Sequence, residues 1–256
     1  MQILQHFDKS KTSDFTIYHL KEKEWDAFIK KLPDDFRLCY VSDAKLTKRA
    51  AKASLTESVF LEKYVVPNEP TIKSGDFGEL LSFFAVQESF EKKGIILLAP
   101  RKWRWKDNKD KPAPGADSVL FYIANPKIFT DNDSLVTIES KMKAVKSNKH
   151  RIQNAIDDAS KDKLSRLSKT LIWLEEKYAK QGKEESRKMM QRFNDPATHG
   201  NYQKHHKAIA ILDSTLEAGE TALPVNNPHG IIAIVFSIQE LKRAYEETRT
   251  NIINSV

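Results

Sequence analysis

The sequence predicts an α/β fold in which helices flank a mixed β-sheet, and three observations support this prediction. Residues 206–213 and 231–236 are nearly continuous apolar runs, as expected for strands covered on both faces. Residues 135–143 alternate apolar and polar side chains with a period of two, which is typical of a strand with one polar face. Segments with helical spacing precede, separate and follow these strands. This order predicts a sandwich of helices around a mixed sheet.

The composition is that of a globular protein with a single cysteine. Of the 256 residues, 40% are hydrophobic and 30% are charged, so the chain can bury a substantial core. No apolar run approaches the ~20 residues of a membrane span, and the first residues lack the apolar stretch of a signal peptide. We therefore expect a cytoplasmic protein without a membrane partner. Cys39 has no second cysteine to pair with, and we expect it to be buried as a small hydrophobe.

Residues 1–70 are predicted to form an N-terminal α+β lobe that carries no catalytic motif. Its predicted elements are a strand at 15–20, a helix at 22–32 ended by Pro33, a strand at 38–41 and a helix at 48–64. Pro67 and Pro70 then interrupt the helical pattern. The second predicted domain is residues 71–256.

A strong helix is predicted at residues 77–92, and its apolar stripe contains one acidic residue. Glu79 is in line with Phe83, Val86 and Phe90. A carboxylate on an apolar stripe is unfavourable unless it has a partner. Glu79 is therefore either a rim residue bound to a Lys or Arg, or an inward acid that helps to hold a metal. The strands that follow favour the second interpretation.

Basic and aromatic side chains alternate at residues 101–106, after a predicted central strand at residues 94–99. Arg101 and Arg104, with the neighbouring tryptophans, are candidates to stack on bases or to contact phosphates. The alternative is an amphipathic hairpin whose tryptophans pack on the core.

The functional hypothesis depends on two predicted strands. Residues 115–123 form the first and open with Asp117, while the second carries Glu139 and Lys141 on its polar face. An acidic residue followed by Glu-x-Lys on the next strand is the pattern of the PD-(D/E)xK nucleases. The pattern predicts a restriction-endonuclease-like core. A salt-bridged, exposed strand face is the alternative.

Phosphodiester hydrolysis needs these residue types together. Mg²⁺ (or Mn²⁺) can activate a water and neutralise the leaving oxygen, and Mg²⁺ prefers carboxylate, carbonyl and water oxygens. We expect Asp117, Glu139 and the backbone carbonyl of Ser140 to bind the metal. Lys141 is expected to orient the attacking water and to offset the phosphate charge. Glu79 would complete the acidic cluster.

Positive charge is concentrated after the Glu-x-Lys strand. Residues 141–193 hold 15 Lys and Arg against 7 Asp and Glu, whereas the rest of the chain holds 27 against 28. Helical spacing predicts a long helix and then a shorter basic one in this segment. Lys143, Lys149 and Arg151 are candidates to contact DNA. A solvated helical face is the alternative.

Other site types find little support in the sequence. A Gly-x-x-x-x-Gly-Lys-Ser/Thr motif is missing, so ATP hydrolysis would have to come from a partner. His199, His205 and His206 are close in sequence, but adjacent histidines on a strand point in opposite directions, which argues against a zinc site. Nothing resembles a helix-turn-helix or a zinc finger.

Three stretches of the chain resemble the HamA family, the effector subunits of the Hachiman antiphage defence system. They are residues 74–81, 115–121 and 138–141, and the resemblance covers roughly residues 70–256. It implies a PD-(D/E)xK DNase that acts with HamB, a superfamily 2 helicase. By this analogy HamB holds the nuclease in check and releases it when it senses abnormal DNA.

The resemblance also implies a catalytic set, carried over by motif: Glu79, Asp117, Glu139 and Lys141. The chain departs from the family pattern at one point, because the proline that should precede the first acid is Pro114, three residues before Asp117. We assign the N-terminal lobe to helicase contacts and the basic helices to DNA contacts. Two other functions stay open, a non-catalytic adaptor that binds nucleic acid or a partner, and a stand-alone restriction-type endonuclease.

Overall fold

A computed structural model describes residues 1–194 and 201–256, and its centre is a six-stranded mixed sheet. The strands are β1 (Phe7–Lys11), β2 (Thr16–Leu20), β3 (Ser118–Tyr122), β4 (Ser134–Lys143), β5 (Gln203–Asp213) and β6 (Ile232–Ile238). They are arranged in the order β1-β2-β6-β5-β4-β3. The four inner strands are parallel, while β1 and β3 lie antiparallel at the two edges. The predicted α/β fold with a mixed sheet is confirmed.

Helices cover both faces of this sheet. They are α1 (Trp25–Tyr40), α2 (Asp43–Lys52), α3 (Glu57–Tyr64), α4 (Pro70–Glu91), α5 (Arg151–Lys161), α6 (Leu167–Lys180), α7 (Glu184–Asn194), α8 (Ser214–Thr221) and α9 (Leu241–Asn254). A π-helical turn, Asp162–Arg166, joins α5 to α6. Within the described parts of the chain, no helix is both long and apolar enough to cross a membrane.

Alternate side chains of the inner strands enter two different cores. On β5, Ile209 and Ile211 pack into the cluster that α1, α4 and α9 also enter. Ala208 and Ala210 face the opposite side, where they pack with the apolar stripe of α5. This burial on both faces explains why the strand reads as a continuous apolar run.

The N-terminal strands belong to the same sheet as the rest of the chain. Strand β2 lies parallel to β6, with Ile17 opposite Val235. Side chains from α1 and α4 share one hydrophobic cluster. The division into residues 1–70 and 71–256 stays a prediction about domains, and α4 begins at its boundary.

Packing overrides several local signals in the N-terminal segment. Pro33 does not end a helix, because it lies within α1, and the strand predicted at 38–41 is the end of that helix and the residue after it. A proline removes only one helical hydrogen bond, while Phe28, Leu32 and Phe36 on the same helix are fully buried. The helix predicted at 48–64 is two helices, α2 and α3.

The segment around α4 also differs from its prediction. The helix starts at Pro70 rather than near residue 77, because the Glu69 side chain accepts a hydrogen bond from the Ile72 N–H (2.7 Å) and caps it. Residues 94–99 form no strand, only an isolated bridge between Leu98 and Phe121. The alternating basic and aromatic stretch contains a 3₁₀ turn, Lys102–Trp105, rather than an extended hairpin.

Two smaller predictions have clear outcomes. Cys39 is fully buried and unpaired, as expected for a small hydrophobe. The long helix after β4 is present, but the π-helical turn interrupts it. His199, one of the three histidines that are close in sequence, lies outside the described residues.

Candidate active site

Asp117 and Glu139 lie side by side at the sheet edge. Strand β3 pairs antiparallel with β4, with Ser118 opposite Ile138, so the next pair outward is Asp117 and Glu139. The Asp117 N–H donates to Oε1 of Glu139 (3.1 Å). In return, the Ser140 N–H donates to Oδ2 of Asp117 (2.8 Å). These two hydrogen bonds fix both carboxylates relative to the backbone of the two strands.

The turn before Asp117 is held from both sides. Gly115 has φ +87°, a conformation that favours glycine. The next residue, Ala116, donates its N–H to Thr170 Oγ1 on α6 (3.1 Å) and accepts a hydrogen bond from Lys102 Nζ (3.1 Å). The backbone of the turn that precedes Asp117 is therefore hydrogen-bonded both to α6 and to the 3₁₀ turn.

Glu139 is an acid in an environment that disfavours its charge. Its side chain is 1% exposed. Burial raises the pKa of Glu139 to about 9, and the nearby Asp117 and Asp162 add to the rise, while Arg166 and Lys141 oppose it. Strongly perturbed acids of this kind concentrate at functional sites.

Lys141 lies on the same face of β4 as Glu139, as the alternation predicted. Its Nζ is 2.6 Å from Oδ2 of Asp158 on α5 and 3.8 Å from Oε2 of Glu139. Burial lowers the pKa of Lys141, but the charge of Asp117 and the hydrogen bond to Asp158 outweigh it, so the pKa is raised. The ammonium group therefore stays charged beside the acids.

Glu79 reaches the same region from α4, on the other face of the sheet. Its Oε2 accepts a hydrogen bond from Trp103 Nε1 (3.1 Å) and lies 3.2 Å from Lys102 Nζ. Burial raises the pKa of Glu79 to about 7, Lys102 opposes the rise, and the charge of Asp117 adds to it. Glu79 is thus both an inward acid on an apolar stripe and the partner of a lysine.

Four charged residues at the site were not predicted from the sequence: Lys102, Asp158, Asp162 and Arg166. Arg166 Nη2 lies 2.6 Å from Glu139 Oε1, and its Nε lies 2.6 Å from Asp162 Oδ1. The spacing of 158, 162 and 166 by four residues places all three on one helical face, which is a signal that the sequence does contain.

A cleft of about 520 Å³ opens beside Lys141 and Asp158. Of the predicted DNA-contacting residues, Lys149 and Arg151 line this cleft. The other three bind within the fold. Lys143 Nζ lies 2.6 Å from Glu220, while Arg101 Nη1 (3.1 Å) and Arg104 Nε (3.0 Å) donate to the Leu38 carbonyl near the end of α1.

The donor set suits a magnesium ion. Within residues 1–194 and 201–256, no three His, Cys, Asp or Glu side chains are grouped as a metal site. Proteins often bind Mg²⁺ through only one or two carboxylates, and water and substrate phosphate fill the remaining positions. Asp117 and Glu139 supply two adjacent carboxylates, and Ser140 adds a backbone carbonyl in the same strand. Hard oxygen donors of this kind fit Mg²⁺ or Mn²⁺.

The comparison with known proteins gives one result that covers nearly the whole chain. A search of curated proteins finds no significant match. The model of the HamA family matches residues 2–254, which includes the N-terminal strands as well as the candidate site. The chain therefore belongs to the HamA family of the Hachiman defence system.

Proposed function

We propose that this chain is a metal-dependent DNA endonuclease, the effector of an antiphage defence complex, and that a helicase partner holds it in check. The observation that carries the proposal is the mutual hydrogen bonding of Asp117 with Glu139 and Ser140, beside Lys141 on the same strand. Membership of the HamA family supports the defence role.

The residues divide the chemistry of phosphodiester hydrolysis between them. Asp117, Glu139 and the Ser140 carbonyl would hold Mg²⁺ or Mn²⁺, which supplies Lewis acidity and a more acidic water when bound. Lys141 is 24% exposed, so its ammonium group can reach a phosphate that enters from the cleft. There it orients the attacking water and offsets the negative charge that develops on the phosphate.

Glu79 completes the acidic cluster from the opposite face. Its hydrogen bond with Trp103 and its ion pair with Lys102 fix the carboxylate in place. Because Lys102 neutralises it, Glu79 adds little net repulsion to the approach of a phosphate. We assign to Glu79 the role of shaping the field around Asp117.

We assign DNA binding to the cleft beside Lys141 and Asp158. Lys149 and Arg151 line it next to Lys141, and cations in this place bind phosphates without reading bases. Arg101, Arg104 and Lys143, which the sequence also nominated, are hydrogen-bonded or paired inside the protein. The proposed DNA surface is therefore smaller than the sequence predicted.

A partner that restrains the nuclease follows from this mode of binding. A nuclease that binds phosphates and makes no base-specific contacts cuts host DNA as readily as phage DNA. Its activity must therefore depend on a second protein, and a helicase with its own ATPase can couple release to the state of the DNA. The chain itself has no phosphate-binding loop for ATP.

Plasmid cleavage tests the proposal. Purified protein is incubated with supercoiled plasmid in Mg²⁺ or in EDTA, alone and with the helicase partner and ATP. Wild type is compared with Glu139→Ala and Lys141→Ala, and Lys242→Ala on the exposed face of α9 is the control. Nicking or degradation that needs metal and is lost in both site variants supports the nuclease.

Two other outcomes select the alternatives. DNA that stays intact even with the helicase and ATP favours a non-catalytic adaptor. Discrete fragments that end at one sequence, produced by the chain alone, favour a stand-alone restriction-type enzyme.

A further inference from the structure

We propose that Asp162 and Arg166 form a two-position clamp on Glu139. In the resting protein the Arg166 guanidinium binds, and so caps, the Glu139 carboxylate while also contacting Asp162. When a divalent cation binds, the guanidinium leaves Glu139 and contacts Asp162 alone. The clamp rests on the proposed function, because it regulates the same carboxylate. Both residues are positioning residues that act through Glu139.

The first position of the guanidinium is the one in the structure. Its Nη2 lies 2.6 Å from Oε1 of Glu139, and the same nitrogen donates to the Asp158 carbonyl (3.0 Å). Its Nε lies 2.6 Å from Oδ1 of Asp162. One guanidinium thus bridges two carboxylates through two different nitrogens.

This position competes with a metal. The capped oxygen, Oε1, is also the one that accepts the Asp117 N–H, so it lies beside the backbone of the residue that carries the other proposed ligand. A divalent cation between Asp117 and Glu139 would lie next to the guanidinium, and like charges at contact distance repel strongly where water is scarce. Arg166 must therefore withdraw from Oε1 before the ion is bound there.

Asp162 offers the second position. Its side chain is fully buried, and among the described residues no nitrogen donor reaches its Oδ2, since the Glu139 carboxyl is its other side-chain partner besides Arg166. A buried carboxylate oxygen without a donor is unfavourable. If Nη2 leaves Glu139 while Nε stays on Oδ1, Nη2 can reach Oδ2 and complete a two-pronged Arg–carboxylate pair, the strongest geometry for these groups.

The backbone between the two residues is unusual. Asp162 and Arg166 are the first and last residues of the π-helical turn that joins α5 to α6. Such turns are rare and occur frequently at functional sites. The Arg166 side chain is 27% exposed, which leaves space for the guanidinium to rotate.

Metal affinity tests the clamp without relying on activity. Mn²⁺ binding to the full-length chain is measured by electron paramagnetic resonance. Arg166→Gln removes the cap, and we expect it to tighten Mn²⁺ binding by about tenfold. Asp162→Asn removes the second position and is expected to weaken binding. Lys169→Gln, which removes one cation from the exposed face of α6, is the matched charge control and should change little.

A double-mutant cycle separates the clamp from simple electrostatics. If Asp162 acts through Arg166, the effect of Asp162→Asn shrinks in the Arg166→Gln background. Equal effects in both backgrounds overturn the clamp, as does an unchanged or weaker affinity in a folded Arg166→Gln variant. If that variant does not fold, Arg166→Met replaces it, because methionine also removes the charge while keeping an unbranched side chain, and the same tightening is expected.

The result also distinguishes the clamp from the function on which it rests. Mn²⁺ binding that Glu139→Gln abolishes and Arg166→Gln fails to tighten overturns the clamp alone. Absence of Mn²⁺ binding in wild type and in every variant overturns the metal-dependent function together with the clamp.

Discussion

Replacing Gly115 by alanine tests how the turn before Asp117 is held. The glycine has φ +87°, and an added Cβ would lie 2.8 Å from Thr170 Oγ1 and 3.1 Å from its Cγ2. The strained backbone costs roughly 1–2 kcal/mol, and displacing Thr170 from its hydrogen bond with Ala116 costs about 1 kcal/mol more. We expect Gly115→Ala to lower the free energy of unfolding by about 2–3 kcal/mol.

Urea unfolding measures the effect, with the midpoint falling at an unchanged slope. Gly219→Ala is the matched control, because Gly219 lies within α8 and no atom lies within 4 Å of its added Cβ. Alanine there should stabilise the protein by roughly 0.5–1 kcal/mol. A Gly115→Ala variant as stable as wild type would show that the turn is not constrained as described. In the folded variant, Mn²⁺ binding should weaken, since the turn positions Asp117.

Three further substitutions test charges in and around the site. Burial and the nearby Lys93 lower the pKa of Lys207 from 10.5 to about 8. Lys207→Met should therefore stabilise the protein by up to about 3 kcal/mol at pH 7, and the gain should vanish as pH rises towards 10.5. Lys102→Met leaves Glu79 buried without its counter-ion and should lower the free energy of unfolding by about 3–5 kcal/mol. Lys149→Ala should weaken DNA binding, measured by fluorescence anisotropy. The slope of the logarithm of the binding constant against the logarithm of the salt concentration should become shallower by about one, since one phosphate contact is lost.

Each of these predictions has an outcome that contradicts it. A Lys207→Met gain that stays constant from pH 7 to pH 10 would rule out the lysine charge as its cause. Near-normal stability of Lys102→Met would mean that Glu79 does not depend on the lysine. If Lys242→Ala on α9 weakens DNA binding as much as Lys149→Ala does, the cleft is not the DNA surface.

The sequence predicts the centre of the fold well because its signals are strong there. Strands β5 and β6 are buried on both faces, so their apolar runs leave little choice of structure. The alternation of β4 predicts correctly that Glu139 and Lys141 share a face. The apolar runs and the alternation are each contained within one segment, so a single sequence is sufficient to predict them.

The contacts between segments could not be read in the same way. Arg101 and Arg104 look like a nucleic-acid surface in the sequence, but both bind the Leu38 carbonyl, which is distant in sequence. Arg166 is one of many cations in a basic segment, and only the packing of α5 against β4, with the π-helical turn that follows it, brings Arg166 to Glu139. Such pairings depend on how helices pack on the sheet, which a local pattern does not encode.

The most direct test of the proposed site is the rate of plasmid cleavage at increasing Mg²⁺, in the presence of the helicase partner and ATP, by wild type and by Glu139→Gln. The substitution removes one carboxylate oxygen ligand and preserves the shape of the side chain. We expect the rate to fall on the order of 10²–10⁴-fold, while the exposed control Glu22→Gln cleaves like wild type. Equal rates for wild type and Glu139→Gln would contradict the assignment of the active site.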